Sequence, residues 1–155
     1  MHEQYLRRAI RLAVENVEQG RGGPFGAVIV RDGAVVAEAA NRVTTIPDPT
    51  AHAEVLAIRE AARCLGTHNL SGCVIYASCE PCPMCLGAIY WARLDAVYFA
   101  ATRQDAAAAG FDDSFLYDEI PLSLEKRSKP AIRLECGEGS APFDAWRAAP
   151  GRTPY

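Results

Sequence analysis

Cys73-Val74-Ile75-Tyr76-Ala77-Ser78-Cys79-Glu80-Pro81-Cys82-Pro83-Met84-Cys85-Leu86-Gly87-Ala88-Ile89-Tyr90-Trp91 passes from one kind of backbone to another. The run at 73–77 is apolar and rich in β-branched and aromatic residues, and reads as a strand. Pro83 suits the first turn of a helix, where its missing N–H has no intrahelical acceptor, so 83–91 reads as a short helix. A second apolar run at 96–100 reads as another strand. Strands alternating with helices predict an α/β layered sheet rather than a helix bundle.

The same alternation extends upstream. Residues 51–65 are rich in Ala, Glu and Leu and read as a helix with Thr50 as its N-cap. Two apolar runs, 25–30 and 34–39, are separated by Arg31-Asp32-Gly33, and Asp-Gly between such runs signals a hairpin. Residues 41–49 form a loop with two prolines. Residues 3–18 place Leu6, Ala9, Ile10, Ala13, Val14 and Val17 at helical spacing, predicting an amphipathic helix that ends near Gly20. Downstream, 102–119 is mixed, and the tail from Pro121 predicts a helix or strand around 131–136. There is no internal repeat and no linker long enough to mark a boundary, so 1–155 is expected to form one domain.

Charge and cysteine usage narrow the function classes. With a net charge of -3, the chain lacks the cationic balance that proteins gripping long nucleic acid use to displace counterions, which favours a small ligand. No stretch approaches the roughly 18 apolar residues needed to cross a bilayer, so no membrane association is expected. The start, Met1-His2-Glu3-Gln4-Tyr5-Leu6-Arg7-Arg8, has no signal-peptide core, and a cytoplasmic location is expected. Cysteines stand at 64, 73, 79, 82, 85 and 136. In a reducing compartment, such clustering reads better as metal ligation than as a disulfide framework.

The chemistry lies in His52-Ala53-Glu54 and Pro81-Cys82-Pro83-Met84-Cys85. Two cysteines three apart, straddling a helix start, can aim both sulfurs at one ion, and the orphan N–H groups there favour the thiolate form. His52 adds a third ligand. Zinc prefers a tetrahedron of N and S donors, and catalytic sites leave one corner for water, whereas structural sites close with four protein ligands. His52, Cys82 and Cys85 therefore predict one catalytic Zn²⁺ per chain. Helical residues two apart lie about 200° apart around the axis, so Glu54 does not share a face with His52. It is expected to serve as the proton carrier beside the ion. Cys79 leaves an alternative open: spaced three before Cys82, it is either a fourth ligand closing a structural site or a buried thiol at a strand end. Taken singly, a His and a Glu near a helix start are ordinary surface or capping residues, and CxxC alone is also a redox pair. Together the two motifs match the H-x-E…P-C-x-x-C pattern of zinc deaminases.

Beyond that pattern, the chain resembles the cytidine deaminase superfamily and, within it, the small guanine deaminases. The resemblance runs through Gly22-Gly23-Pro24-Phe25-Gly26-Ala27-Val28-Ile29-Val30, Asn41, Asp48-Pro49-Thr50-Ala51-His52-Ala53-Glu54 and 78–92. Gly110-Phe111-Asp112-Asp113-Ser114-Phe115 resembles the guanine subgroup in particular. It implies a three-layer α/β/α fold with a central five-stranded mixed sheet, a homodimer, and hydrolysis of guanine to xanthine and ammonia. By the same resemblance Glu54 is the catalytic proton carrier. The base is bound by Asn41, lies against Ala53, and is lined or covered by Phe25 and Trp91. A carboxylate at 112 or 113, with Asp113 preferred, recognises the guanine edge and joins proton transfer. The final segment, about 137–155 with Trp146 and Tyr155, is expected to swap across the dimer so that Tyr155 closes the neighbour's site.

Besides a nucleotide deaminase such as one acting on deoxycytidylate, which would need a cationic cluster for phosphate that is not evident near the motifs, three other functions compete. A tRNA adenosine deaminase shares both metal motifs, but an acidic chain suits an RNA loop poorly. Another free base or nucleoside, such as cytosine, guanosine or a triazine analogue of guanine, is a second. A zinc-stabilised binding module without catalysis is the third, and it requires Cys79 in the metal shell.

Overall fold

The computed structural model describes residues 2–155. The chain divides into two compact units, the first ending at Asp113 and the second spanning Ser114–Tyr155.

In the first unit, α1 (His2–Glu18) leads into the hairpin β1 (Gly26–Arg31) and β2 (Ala34–Ala40). The expected turn is present: Asp32 and Gly33 both take positive φ, 50° and 78°, and Arg31 faces Ala34. Two left-handed residues in succession match the right-handed twist of the flanking strands, and that is why Asp-Gly is favoured there. Helix α2 (Ala53–Leu65), β3 (Cys73–Cys79), α3 (Pro83–Trp91), β4 (Ala96–Ala101) and the short α4 (Arg103–Ala108) follow. Thr102 and Asp105 close a reciprocal capping box at the start of α4.

The strands lie in the order β2-β1-β3-β4. β1 is antiparallel to both β2 and β3, while β3 and β4 are parallel and joined through α3. A parallel pair needs a crossover of this kind, because a tight turn cannot bring the chain back to the same end. Alternate residues of the central strands serve opposite layers. Ala27, Ile29 and Ile75 pack with Ala53, Ala57 and Ala61 of α2 and with Ile89 of α3. Val28, Val30 and Tyr76 pack with Tyr5 and Ala9 of α1. The result is a three-layer α/β/α arrangement. Ile29 and Ile75, both fully buried, each contribute about 1.5–3 kcal/mol by burial.

The sheet has four strands, not five. The segment 131–136 alternates apolar and charged residues like a half-buried strand, but it adopts neither strand nor helix, and Ile132 and Leu134 are about four-fifths exposed. A strand exists only through a paired neighbour, and the second unit contains no other strand. That unit holds α5 (Ser114–Glu119), a 3₁₀ turn at Leu124–Lys126 and α6 (Ala141–Ala148). None of its residues is buried.

Two local readings also change. Helix α1 buries Tyr5, Ala9, Ala13 and Asn16, while Val14 and Val17 are half exposed. The inward stripe is thus rotated from the purely apolar one, because the Tyr5 hydroxyl reaches the Gly33 carbonyl and Asn16 serves buried carbonyls. Helix α2 starts at Ala53 with His52 as N-cap, not with Thr50. The Asp48 carboxylate accepts from both the Thr50 N–H (2.8 Å) and its hydroxyl (2.7 Å), a local turn that keeps Thr50 outside the helix. Among the described residues no helix is long and apolar enough to cross a membrane.

Candidate metal centre and active site

His52 and Cys82 are the N-cap residues of α2 and α3, and neither side chain caps its own helix. Both backbones are extended there, which frees the side chains to point away from the first turn. Cys85, three residues into α3, is fully buried. The His52 Nδ1 lies 3.6 Å from Cys82 Sγ and 3.5 Å from Cys85 Sγ, and the three ligand atoms fall within 4.8 Å of one another. A zinc ion about 2.3 Å from sulfur and about 2.0–2.1 Å from nitrogen, at tetrahedral angles, would separate S and N by about 3.6 Å. The donors are therefore spaced for zinc, with Nδ1 as the imidazole ligand.

The electrostatics point the same way. Cys85 and His52 beside the Cys82 sulfur hold its thiol well below the usual value, at about 4. The Cys85 thiol is pushed strongly up by that neighbouring thiolate and by burial. A cation placed between the two sulfurs would allow both to ionise, which suits this donor set to a metal.

Cys79 does not belong to the group. It ends β3, is buried, and its Sγ lies 3.5 Å from the Thr102 carbonyl, while burial pushes its thiol up to about 11. A thiol so held is a strand-end core residue, and the group of residues that could hold a metal ion is His52, Cys82 and Cys85, three donors as in catalytic zinc sites.

Glu54 stands in the first turn of α2 and is only 7% exposed. Burial pushes its carboxyl above the ordinary carboxylate range, reinforced by the nearby Cys82. A carboxyl group beside a metal site is a type of side chain that can act as a general base. Ala53, just before it, is fully buried.

Asn41 follows β2 and is buried. Its Oδ1 accepts from the N–H groups of Gly23 (3.3 Å) and Val43 (3.2 Å), so the main chain holds the oxygen end of the amide. The Arg42 N–H donates to the Ala51 carbonyl, tying this corner to the residue before His52. The Asn41 N–H donates to the Phe25 carbonyl at 3.0 Å. Phe25 is half-buried and packs edge-to-face on Phe111, with ring centroids 5.1 Å apart. With Ile10, Ala13, Cys79 and Ala101, these two rings line an apolar cavity of about 320 Å³.

Asp113 is half-buried, and its carboxyl is raised by burial and by Cys82; Asp112 is exposed. Trp91 ends α3 and is 69% exposed, in a shallow hollow with Gly87, Tyr90 and Arg93 that no metal-group residue lines. Tyr155 lies in the second unit and is 74% exposed. Two contributors escaped the sequence reading. Phe111 lay inside a motif already noted, but its ring contact with Phe25 could not be read from separation alone. Asn16 had one signal: it lies three residues after Ala13 on the inward stripe.

The comparisons agree with this geometry. Residues 1–101 match the cytidine and deoxycytidylate deaminase zinc-binding region. Guanine deaminase of Bacillus subtilis (strain 168) is 57% identical over 154 residues, 99% of either chain. The X-ray structure of a guanine deaminase from Bacillus subtilis superposes with a TM-score of 0.98 at 57% identity, covering 100% of this chain and 99% of that one. A tRNA-specific adenosine deaminase of Aquifex aeolicus (strain VF5) is 46% identical over 99 residues, 64% of this chain and 65% of its own. On the metal donors, the layered sheet and these matches, the chain belongs to the cytidine and deoxycytidylate deaminase zinc-binding family.

Proposed function

We propose that this protein is a zinc-dependent guanine deaminase, converting guanine and water to xanthine and ammonia. One observation carries the reading: the similarity to a guanine deaminase spans 99% of the chain, including the 110–115 motif and the tail. Two tRNA-specific adenosine deaminases align over less of the chain and at lower identity, 64% at 46% for Aquifex aeolicus and 87% at 39% for Bacillus subtilis.

His52, Cys82 and Cys85 would hold the ion, which supplies a Lewis acid able to bring the pKa of water towards about 7. Glu54 takes the first proton as water adds to C2 of guanine and passes it to the ring nitrogen; it then takes the second proton from the added hydroxyl and gives it to the amine, which leaves as ammonia while the C2 carbonyl forms. Asn41 offers its NH₂ to an acceptor on the base, with Ala53 and Phe25 against the ring. Asp113 meets the donor edge of guanine and shares proton transfer; its half-burial and raised carboxyl support it over Asp112.

One deaminase domain per chain, working as a cytoplasmic homodimer in purine metabolism, completes the reading. The tail supports the dimer. Residues 114–155 bury none of their side chains, yet Phe115, Ile132, Leu134, Phe143 and Trp146 are all large and exposed. So many exposed apolar groups call for a covering surface. A segment swapped between subunits from about 137 onwards provides one and would bring Tyr155, with the exposed Trp91, over the base in the assembled dimer.

Guanine, guanosine, cytosine, a triazine analogue of guanine and a tRNA anticodon hairpin, assayed side by side for ammonia, test the substrate. Release from guanine is expected. Release from adenosine in the hairpin, with none from guanine, would overturn the assignment. Removing Thr153, Pro154 and Tyr155 should lower kcat on the order of tenfold with zinc content unchanged, as for a lost lid. Unchanged kinetics would remove Tyr155 from the mechanism.

A further inference from the structure

We infer that Asn16 is a positioning residue for base recognition, acting from helix α1 through the main chain of Asn41. The inference rests on the reading of Asn41 as the residue that binds guanine.

Asn16 is fully buried, on the same stripe of α1 as Ala9 and Ala13. Its Nδ2 donates to the carbonyls of Gly23 and Asn41, each at 2.9 Å, so both amide hydrogens are used. Its Oδ1, equally buried, has no hydrogen-bond partner among the described residues. An apolar residue here would remove the unbonded Oδ1 but take away the Asn41 carbonyl's donor, while the Gly23 carbonyl would keep the Phe25 N–H. What the amide adds is a clamp with two donors.

The clamp closes on the segments that present the base contacts. Gly23 is held through its carbonyl by Asn16, and its N–H returns to Asn41 Oδ1 at 3.3 Å. That return bond, with the one from Val43, fixes the orientation of the Asn41 amide by holding its oxygen end. A Cβ on Gly22 would lie 2.2 Å from the Asn41 carbonyl oxygen and 3.1 Å from Asn16 Nδ2, so the glycine lets the two segments meet on the clamp. Asn16, Gly23 and Asn41 thus form a closed set of hydrogen bonds, and Phe25 joins it through its carbonyl. Releasing the clamp frees the Asn41 amide to turn its acceptor outward, where it no longer matches an acceptor on the base.

The test is a double-mutant cycle on guanine turnover with Asn16→Ala and Asn41→Ala, with zinc content and circular dichroism as checks on folding. Asn16→Ala alone is expected to raise KM about tenfold, the size of one net hydrogen bond, with kcat within about twofold. In the Asn41→Ala background the same change should cost less than about twofold, because its effect runs through Asn41. An equal penalty in both backgrounds would overturn the inference and make Asn16 a packing residue only. A fall in kcat at constant KM would overturn it as well. Asn16→Asp keeps the size and loses one or both donors, and the same cycle decides the question with it if the alanine variant does not fold. Wild-type protein inactive on guanine would sink the substrate reading instead, a result separate from either outcome of the cycle.

Discussion

Glu54→Gln is expected to retain one zinc per chain and to lose kcat on the order of a thousandfold, within the 10²–10⁴ range general acid–base groups contribute. Glutamine keeps the size and the hydrogen-bonding shape at a position only 7% exposed, so the fold has no reason to change. Zinc stays because Glu54 is outside the ligand group formed by His52, Cys82 and Cys85. What disappears is the group that accepts a proton from water and returns it to the ring and the amine. Neither Asp113, on a different segment, nor Cys79, bonded towards Thr102, stands where Glu54 does at the mouth of α2. Single-turnover rates with metal analysis on the same sample check this. Wild-type turnover in the variant would place the base elsewhere.

Cys85→Ala is expected to lose both the metal and all measurable turnover. Cys85 is fully buried and contributes one of three donors, so the two that remain, His52 Nδ1 and Cys82, hold zinc far more weakly. Metal bound only by the folded chain also stabilises it by mass action, so Tm should fall and respond less to added zinc. Cys79→Ala supplies the contrast. It should keep one zinc per chain, because its sulfur faces the Thr102 carbonyl and not the cluster. Metal loss in Cys79→Ala, with metal retained in Cys85→Ala, would reverse the ligand assignment. Metal loss in both variants would instead restore the closed structural site with four protein ligands. Metal-to-protein ratios and thermal melts of the two variants decide between these outcomes.

The legible parts of the fold share a physical character. Asp32-Gly33 could be read as a turn because few residue pairs tolerate two positive φ angles in succession. Pro83 could be read as a helix start because proline lacks the N–H that the first turn leaves unpaired. In both, backbone sterics act within a few residues. The misread parts depend on remote partners. Residues 131–136 alternate like a strand, but pairing must come from another segment, and the second unit offers none. Of the α1 stripe read at Leu6, Ala9, Ile10, Ala13, Val14 and Val17, Ala9 and Ala13 are buried, but Val14 and Val17 are half exposed, whereas Tyr5 and Asn16 face in to meet Gly33, Gly23 and Asn41.

For the candidate site, the sequence alone determined the donor types, their spacing and the presence of a carboxylate beside them. Zinc chemistry restricts those choices to few residue types, and a helix start constrains where each can point. The Pro-Cys-x-x-Cys frame already favoured Cys82 and Cys85; what only tertiary structure decided is that Cys79 ends β3 with its sulfur on the Thr102 carbonyl, outside the group that His52, Cys82 and Cys85 form. Tertiary structure alone also revealed the Asn16 clamp. A buried amide bonded to two carbonyls leaves no pattern along the chain, because its partners are brought to it by the packing of α1 against the sheet.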